Sequence, residues 1–355
     1  MVNIMETQII SVSEEQLIEK DAWLRLAGDI LKSGGLVAFP TETVYGLGGD
    51  GLNRESSKKI YEAKGRPSDN PLIIHIAHMN DLELLVKEVT PQAKQIAESF
   101  WPGPLTMILP KSDSVPLETT GGLNTVAVRM PSHKVARKLI EYAGGYIAAP
   151  SANVSGKPSP TLAKYVIEDM DGRIDMIIDG GEVGIGLEST IIDLTVEPPQ
   201  ILRPGFVTEE MLERVLDNVE MDKALLGNDS ELVPKAPGMK YRHYAPKGQL
   251  TIVSGAPETV VEYVNGQAAA ERARQKKVGI ICTEEHKDCY QADIVKSVGC
   301  REDEQAIAHN LYRILREFDD ENAEVIYSEA FDQGEMGRAI MNRLLKAAGH
   351  NVITV

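Results

Sequence analysis

The segment LVAFPTETVYGLGGDG, residues 36–51, joins a short apolar strand at 36–39 to a polar stretch and a run of glycines. The glycines from Gly46 onward match the GxGxxG pattern of dinucleotide-binding loops. In such loops the first glycine directly follows the strand, and the third packs against the opening helix. Here the polar residues 41–45 intervene, and Asn53, the expected helix cap, follows the last glycine. The segment therefore predicts a glycine-rich loop of another kind.

Strands and helices alternate on both sides of this segment. Asp21 is expected to cap the helix before it, and Asn53 the helix after it. Further helices are predicted from Pro91 to near Trp101 and around 257–274, 303–318 and 336–348. Strands are predicted at 36–39, 72–77, 105–109, 125–130, 146–149, 174–178, 190–194, 200–202, 250–253, 278–282 and 325–327. This alternation lacks the regularity of a barrel and predicts a packed α/β protein.

The chain has 355 residues, of which 43% are apolar, and its 37 Lys and Arg against 53 Asp and Glu give a formal charge of −16. The length suggests two domains that need neither disulfides nor structural metals. So acidic a chain argues against wholesale coating of nucleic acid, because that binding comes from Lys and Arg neutralising phosphates. No apolar run approaches the roughly 18 residues of a membrane span, and residues 1–6 lack the order of a signal peptide. We therefore expect a cytoplasmic protein, with Cys282, Cys289 and Cys300 reduced because their spacing fits no metal or disulfide pattern.

The composition of the sequence changes after Gly205. Residues 209–231 hold eight carboxylates against two cations, which predicts a surface helix that runs into a linker. The linker ends in APGMKYRHYAP, residues 236–246, which is too rich in aromatic and basic groups for a passive tether. We therefore predict three parts, listed in chain order: a first domain at 1–208, an acidic helix and linker at 209–248, and a second α/β domain at 249–355.

Three features of the first domain carry groups suited to ligands. KGRPS, residues 64–68, leaves two cations and a hydroxyl on a stiff turn at a helix end, although stabilisation of the helix dipole is the plainer interpretation. PSAN, residues 150–153, places a hydroxyl and an amide at the carboxyl end of a strand, where open α/β sheets bind ligands. An ordinary structural turn explains the same residues equally well. Arg129 and Arg203 each end a strand, which suits recognition of carboxylate or phosphate but also fits structural ion pairs.

Other motifs indicate structure rather than chemistry. His75 and His78 are expected to point to opposite faces of a strand, so the two are not predicted to bind one metal ion. WPGP, residues 101–104, predicts a rigid packed corner. EST, residues 188–190, predicts the start of a strand rather than a nucleophile.

Seven motifs, taken in order, resemble those of one family. They are PTETVYGLG at 40–48, KxR at 64–66, WPGPLT at 101–106, VRMP at 128–131, APSAN at 149–153, EST at 188–190 and RPG at 203–205. This series resembles the YrdC-like threonylcarbamoyl-AMP synthase family, and the linker with the unit after it resembles the two-domain form. The resemblance implies a twisted mixed α/β sheet with a basic cavity, followed by a smaller Rossmann-like α/β domain. It also implies an enzyme that makes L-threonylcarbamoyladenylate and pyrophosphate from L-threonine, bicarbonate or CO2, and ATP, for the threonylcarbamoyladenosine modification of tRNA.

The resemblance further implies roles for individual residues. Lys64 and Arg66 are the expected catalytic residues, because the main task is to bring together two anions, a carbamate and ATP. The expected threonine-binding residues are Thr41, His75, Arg129, Ala149 through its main chain, and Ser189. The expected ATP-binding residues are Lys64, Arg66, Ser68, Thr125, Ser151, Asn153, Ser159, Arg203, Arg242, His243 and Tyr244. Mg2+ is expected to arrive with ATP, no metal ligand is expected from protein side chains, and the linker is expected to close over the cavity as a lid.

Two other functions are alternatives. An RNA-binding module would use the basic cavity, but the charge of −16 disfavours broad affinity for RNA. A carbamoyl-transferring relative would usually carry zinc-finger and acylphosphatase domains, which this sequence does not show. For the synthase we expect a functional link to the tRNA threonylcarbamoyl transferase complex, weak or indirect contact with tRNA, and no membrane partner.

Overall fold

The computed structural model describes residues 6–225, 244–331 and 334–355. Within these ranges the chain forms two compact units. The first unit holds residues 6–155, 159–184 and 188–225, and the second holds 156–158, 185–187 and the described residues from 244 onward. None of the helices in these ranges combines the length and the apolar character that a bilayer crossing requires.

The elements follow one another in a mixed order of strands and helices. The α-helices of the described ranges are α1 (Asp21–Lys32), α2 (Arg54–Lys64), α3 (Leu82–Leu85), α4 (Pro91–Phe100), α5 (Lys134–Tyr142), α6 (Ala163–Met170), α7 (Glu209–Glu213), α8 (Pro257–Ala273), α9 (Glu304–Asp320) and α10 (Gly337–Ala347). The strands are β1 (Gln8–Ser11), β2 (Val37–Phe39), β3 (Gly46–Asp50), β4 (Ile73–His75), β5 (Leu105–Pro110), β6 (Thr125–Arg129), β7 (Ile147–Ala149), β8 (Met176–Asp179), β9 (Thr190–Asp193), β10 (Gln200–Arg203), β11 (Glu220–Met221), β12 (Gln249–Ser254), β13 (Val278–Cys282), β14 (Ile294–Ser297), β15 (Val325–Glu329) and β16 (Val352–Thr354).

The first unit is built on one mixed sheet. Its described strands lie in the order β1-β8-β2-β3-β7-β4-β6-β5-β9-β10-β11. Parallel pairs such as β4 with β6 alternate with antiparallel pairs such as β5 with β6. Helices cover the sheet with apolar faces, for example α5, which buries Val135, Ala136, Leu139 and Ile140. The expected mixed α/β sheet is therefore confirmed.

The glycine-rich loop predicted for residues 46–51 is wrong, because Gly46–Asp50 forms the central strand β3 between β2 and β7. A Cβ atom at Gly48 would lie 2.7 Å from Cγ2 of Ile147 and 2.9 Å from Cε1 of Phe39. Glycine therefore lets neighbouring side chains pack directly over the strand. The glycines serve close packing in this sheet rather than the binding of a dinucleotide.

The ends of helix α2 follow the sequence prediction closely. The side chain of Asn53 accepts a hydrogen bond from the amide of Glu55, and Gly65 ends the helix with a left-handed φ of 59°.

The prediction for helix α1 is wrong in detail, since Asp21 is its first residue rather than its cap. Its carboxylate lies 2.7 Å from Nε of Arg25, one turn further along. The predicted corner at 101–104 is confirmed, because Trp101 is buried and its Nε1 donates to the carbonyl of Leu105 at 2.7 Å.

The acidic stretch after Gly205 begins with the predicted surface helix, which is short. Its described part holds α7, then β11, which pairs in parallel with β10, and a 3-10 turn at Lys223–Leu225. The carboxylates of Glu210 and Glu213 are exposed. Leu212, Leu216 and Val219 are buried against the core of the first unit. The stretch therefore covers this core with its apolar residues and presents its carboxylates to solvent.

The second unit has a smaller sheet of five parallel strands in the order β14-β13-β15-β12-β16. Helices α8, α9 and α10 lie within a residue or two of their predicted bounds. The edge strands β14 and β16 were not predicted, because β14 carries the polar residues Lys296 and Ser297 and β16 has only three residues. The three cysteines of this unit are free, with Cys282 buried. A smaller Rossmann-like α/β domain, as the resemblance implies, is confirmed.

Candidate functional site

The site in the first unit is organised where strands β4 and β6 end. His75 is the last residue of β4, Arg129 is the last residue of β6, and the two are paired in register. Thr106 of β5 lies opposite Arg129 on the other side. Side chains of polar or charged character thus meet at neighbouring strand ends, which is where sheets of this type present ligand-binding groups. Both Arg129 and His75 are buried.

Arg129 is held by three oxygen atoms. Its Nη1 donates to the hydroxyl of Thr43 at 2.9 Å, and its Nε donates to the carbonyl of Gly103 at 3.4 Å. Its Nη2 lies 2.8 Å from Oε1 of Glu42, an ion-pair contact that lacks the alignment of a hydrogen bond. Burial is the largest single influence and would raise the pKa of Glu42. The charge and contact of Arg129, together with the backbone of Glu42 and Ser132, outweigh it and hold that pKa below its ordinary value. Glu42 therefore stays ionised beside Arg129.

His75 contributes a neutral imidazole. Its Nδ1 lies 3.2 Å from the carbonyl of Ile73, to which it donates, and its ring meets the Phe39 ring edge-on at 6.2 Å. Burial, followed by the charge of Arg129, lowers the pKa of His75 to about 3. At neutral pH this residue hydrogen-bonds and packs but adds no charge.

Thr41 and Ala149 complete the group of expected threonine-binding residues on this side. The hydroxyl of Thr41 donates to the carbonyl of Val44 at 2.6 Å and lies 2.9 Å from the hydroxyl of Thr43. Thr43 in turn contacts Arg129, so Thr41 is one residue removed from the guanidinium. Ala149 is buried at the end of β7. The structure therefore links Thr41 to Arg129 through Thr43 and places His75 beside Arg129 on the neighbouring strand.

Ser189 links the two arginines that were predicted at strand ends. Its hydroxyl lies 2.8 Å from the hydroxyl of Thr106, the residue opposite Arg129. Arg203 donates from Nε to the carbonyl of Ser189 at 3.0 Å and from Nη2 to its hydroxyl at 3.1 Å. Ser189 immediately precedes β9, which confirms the predicted strand start. Arg129 and Arg203 are each only 4% exposed, so two buried cations flank the Thr106–Ser189 pair.

Lys64 joins two motifs that are far apart in the sequence. Its Nζ donates to the carbonyl of Ser151 and, at 2.6 Å, to the carbonyl of Asn153. The hydroxyl of Ser151 donates to Oδ1 of Asn153 at 2.5 Å. Lys64 is only 3% exposed, which makes it a buried cation directed at the 151–153 loop. Lys64 is also the basic residue of the last turn of α2, so it can stabilise the helix dipole as well as contact the 151–153 loop.

Arg66 lies on the turn after α2. Its Nη2 donates to the carbonyls of Asn70 at 3.2 Å and Pro71 at 3.4 Å, and its guanidinium lies 6.0 Å from the centre of the Tyr61 ring. Asn70 is fully buried, yet neither Oδ1 nor Nδ2 of its side chain has a hydrogen-bond partner among the described residues. A buried amide of this kind is expensive to leave unsatisfied, so Asn70 is a candidate to hydrogen-bond a ligand.

The remaining predicted residues lie further apart. The buried hydroxyl of Ser159 donates to Oε1 of Glu188 at 2.6 Å. Ser68 is exposed on the turn that carries Arg66. Thr125 begins β6 while Arg129 ends it, so about four strand steps, roughly 13 Å, separate them. Thr125 and Ser68 are expected to bind ATP rather than threonine, so their separation from Arg129 leaves that expectation a prediction.

The linker residues give a partial picture. Arg242 and His243 lie outside the described residues. Tyr244 belongs to the second unit, where it is buried and its ring lies 5.0 Å from that of Tyr312. The lid role stays a prediction.

Sequence reasoning missed Glu42, Asn70 and Glu188 as members of the site. Glu42 and Glu188 lie inside quoted motifs, and a carboxylate beside threonines or serines could have indicated them. Asn70 lies just beyond the KxR motif, and only its burial in the structure distinguishes it. Among the described residues no group of three or more His, Cys, Asp or Glu side chains is placed to hold a metal ion.

Two family models match the chain. The model named Sua5_yciO_yrdC, described as "Telomere recombination", matches residues 29–205. The model named Sua5_C, described as "Threonylcarbamoyl-AMP synthase, C-terminal domain", matches residues 207–349. All the candidate residues from Thr41 to Arg203 lie inside the first match.

Similar proteins cover nearly the whole chain. The Pyrococcus abyssi protein called "Threonylcarbamoyl-AMP synthase" is 49% identical over 350 residues, which is 98% of this chain and 100% of that protein. The Bacillus subtilis protein of the same name is 48% identical over 96% of each chain. The structure described as "Crystal structure of P. abyssi Sua5 complexed with L-threonine" is 49% identical, with a TM-score of 0.93 over 98% of this chain and 100% of that chain. Each of these matches spans both units.

Proposed function

The chain belongs to the threonylcarbamoyl-AMP synthase family and is an adenylyl-transferring enzyme, and from this premise we propose how its residues carry out the reaction. The substrates are L-threonine, bicarbonate as the source of CO2, and ATP. The amine of threonine adds to CO2 and loses a proton, which gives a carbamate. One carbamate oxygen then attacks the α-phosphorus of ATP, the bond to the β-phosphate breaks, and pyrophosphate leaves. The product, L-threonylcarbamoyladenylate, serves the threonylcarbamoyladenosine modification of tRNA.

Electrostatic neutralisation is the main requirement of this reaction, because an anionic carbamate must approach an anionic triphosphate. The observation that carries the proposal is the set of buried cations Lys64, Arg129 and Arg203, each at most 4% exposed. Charges in such surroundings act more strongly than charges in water. No protein nucleophile is required, since the carbamate itself attacks.

Arg129 is the proposed partner of the threonine carboxylate. Its guanidinium already has a carboxylate neighbour in Glu42, at 2.8 Å and in poor hydrogen-bond alignment. A substrate carboxylate that binds in bidentate geometry gains two aligned hydrogen bonds from the same guanidinium. The neutral imidazole of His75 and the hydroxyl of Ser189 offer further polar groups along the same strand ends.

Lys64, Arg66 and Arg203 are the proposed phosphate-binding cations. Their contacts with backbone carbonyls fix their positions before ATP binds. Such preorganisation lowers the reorganisation needed in the transition state. Ser151, Asn153 and Ser159 add hydroxyl and amide groups for ATP. Asn70 is proposed to hydrogen-bond ATP through its side-chain amide, which has no partner among the described residues.

Mg2+ is proposed to arrive bound to ATP. Magnesium commonly keeps several waters and binds through substrate phosphates rather than in a protein cage. When bound, the ion would supply charge neutralisation at the phosphates.

The cellular context is also a proposal. We place the enzyme in the cytoplasm, where ATP, threonine and tRNA meet, with a functional link to the transferase complex that modifies tRNA. The charge of −16 favours weak or indirect contact with tRNA itself. The labile carbamate favours a site that excludes water.

The reaction is tested by measuring pyrophosphate release from ATP by the purified full chain. The proposal expects release only when L-threonine and bicarbonate are both present. With 13C-bicarbonate, mass spectrometry should find the label in the adenylate. Release that is independent of threonine, or an adenylate without the label, would contradict it.

A further inference from the structure

A cavity of about 270 Å3 lies in the second unit, and none of the residues proposed for the synthase chemistry lines it. It is lined by residues at the carboxyl ends of two neighbouring strands: Ser254 ends β12 and Gly255 follows it, and Glu329 ends β15 and Ala330 follows it. Its remaining wall includes Arg301 and the first turn of α8. Its size suits a small molecule rather than a dinucleotide.

The strand order makes this position a natural ligand site. The chain leaves β12 through α8 toward β13 on one side, and leaves β15 through α10 toward β16 on the other. Right-handed crossovers therefore place α8 and α10 on opposite faces of the sheet. The carboxyl ends of β12 and β15 thus form the switch point of the sheet, where open α/β sheets bind their ligands.

Glu329 anchors the polar wall of the cavity. It is only 3% exposed, and each of its oxygens accepts two hydrogen bonds. Oε1 accepts from Tyr290 at 3.0 Å and contacts Nδ1 of His286 at 3.0 Å. Oε2 accepts from Thr283 at 3.2 Å and from Arg301. Burial and the charge of Glu329 raise the pKa of Tyr290, so its phenol stays protonated as a donor. Glu329 is fully engaged and positions Arg301 rather than a ligand.

Arg301 keeps donor capacity toward the cavity. Its Nη1 donates to the carbonyl of Ala330 at 3.1 Å and its Nη2 donates to Glu329. A guanidinium has five N–H donors. Within the described part of the chain these two contacts use two of them, which leaves three for a ligand. The guanidinium is thus fixed in place by its partners and still able to bind an oxyanion in its forked geometry.

The opposite wall is the start of helix α8. This helix has 17 residues, no side chain caps its N-terminus, and its first residue, Pro257, lines the cavity. The helix dipole favours an anion at that end, against the exposed carboxylate of Glu258 in the same turn. Arg301 is the cation in the lining, so the ligand that it favours is a hydrogen-bond acceptor.

We propose that this cavity binds a small oxyanion, the phosphate or carboxylate group of a small molecule, between Arg301 and the N-terminus of α8. This would be a second ligand site of the chain, with a role separate from adenylate synthesis. Because Glu329 already balances the charge of Arg301, hydrogen-bond geometry rather than net charge would select the ligand.

The proposal is tested by NMR with the full chain, isotopically labelled. Inorganic phosphate and acetate are titrated separately, and backbone amide shifts are followed. At least one of the two anions is expected to shift the amides of Gly255, Glu258 and Thr259 in a saturable manner. Arg301→Gln is expected to raise the dissociation constant of that anion at least about tenfold, as loss of a charged hydrogen bond implies. Which anion binds more tightly identifies the chemical source.

Controls separate this site from general effects. Arg274→Gln removes an exposed arginine of the same unit that pairs with Glu271 at 2.7 Å, and it should leave the dissociation constant unchanged. Arg301→Lys, which keeps the charge but loses the fork, should bind with intermediate affinity. If neither anion shifts these amides in the wild-type protein, or if Arg301→Gln binds as well as wild type, the proposal is wrong.

Discussion

Three cations are proposed for ATP in the first unit, whereas the lining of the second unit's cavity contains one, Arg301. In the first unit Lys64, Arg66 and Arg203 donate to carbonyl oxygens, and Arg203 also donates to the hydroxyl of Ser189. In the second unit Arg301 is paired with the buried carboxylate of Glu329. The first arrangement suits a polyanion such as a triphosphate, whereas the second suits a single, weakly held oxyanion.

Arg129 of the first unit contacts the carboxylate of Glu42. The cation proposed to accept the carboxylate of an amino acid thus already has a carboxylate beside it. A substrate carboxylate can replace Glu42 as its partner, and the variants below test how the cations divide between threonine and ATP.

The largest effect is expected at Lys64 and Arg66. Lys64→Ala and Arg66→Ala should each lower kcat at least about tenfold, roughly 1.4 kcal/mol, and the double variant about a hundredfold if the effects add. Steady-state pyrophosphate release measures both. The matched control is Lys58→Ala, an exposed lysine on the same helix that pairs with Glu55. Full activity in both single variants would exclude the phosphate-binding role.

His75 should make the stability of the protein depend on pH. Its pKa of about 3 in the folded chain lies below the ordinary value of 6.5, so only the unfolded chain gains this proton as pH falls below 6.5. Stability is therefore lost toward acid, by about 1.4 kcal/mol per pH unit, or about 2 kcal/mol between pH 7.5 and 5.0. Urea unfolding at the two pH values should show that His75→Asn removes this loss.

The control for that experiment is His78→Asn, since the side chain of His78 is exposed and lies 3.4 Å from Glu141. This variant should keep the wild-type dependence on pH. If His75→Asn and wild type lose the same stability toward acid, His75 is not buried in its neutral form.

Arg129 should affect threonine rather than ATP. Arg129→Gln is expected to raise the KM for threonine about tenfold, because a charge-assisted bidentate contact is lost, while the KM for ATP changes less. Glu42→Gln should leave the KM for ATP unchanged as well. A rise confined to the KM for ATP would reverse the assignment of the two substrate ends.

The smallest effect is expected at Asn70. Asn70→Leu removes a buried amide that has no hydrogen-bond partner among the described residues, so stability should not fall. The KM for ATP should rise about threefold, as expected for one neutral hydrogen bond. Asn53→Ala is the opposite control, because it removes the cap of α2 and should cost about 1 kcal/mol of stability without changing this KM. Equal stability losses in both would mean that Asn70 is structural.

Much of the fold is readable from local sequence. Asn53 caps the start of helix α2, and Gly65 ends it in a left-handed conformation that suits glycine. The apolar runs predicted most of the central strands. Helix α5 was not predicted although its buried residues follow a helical pattern. Strand β3 was misread because its glycines are explained by Phe39 and Ile147, which reach it from other strands. Information of that kind exists only in the packed chain.

In the site, too, some features follow from local sequence and others only from packing. The motifs predicted that Arg129 and Arg203 end strands, which the structure confirms. The sequence could not show that Lys64 reaches the carbonyls of Ser151 and Asn153, because that contact depends on how α2 packs beside the loop after β7. The unsatisfied amide of Asn70 is likewise a property of burial, which a single sequence does not contain.

The most direct test of the central claim is a crystal structure of the full chain with L-threonine and a non-hydrolysable ATP analogue. The triphosphate is expected within hydrogen-bond distance of Lys64, Arg66 and Arg203, and the threonine carboxylate on Arg129 in place of Glu42. A triphosphate bound away from all three cations, or a threonine carboxylate that leaves the Arg129–Glu42 pair untouched, would contradict the account.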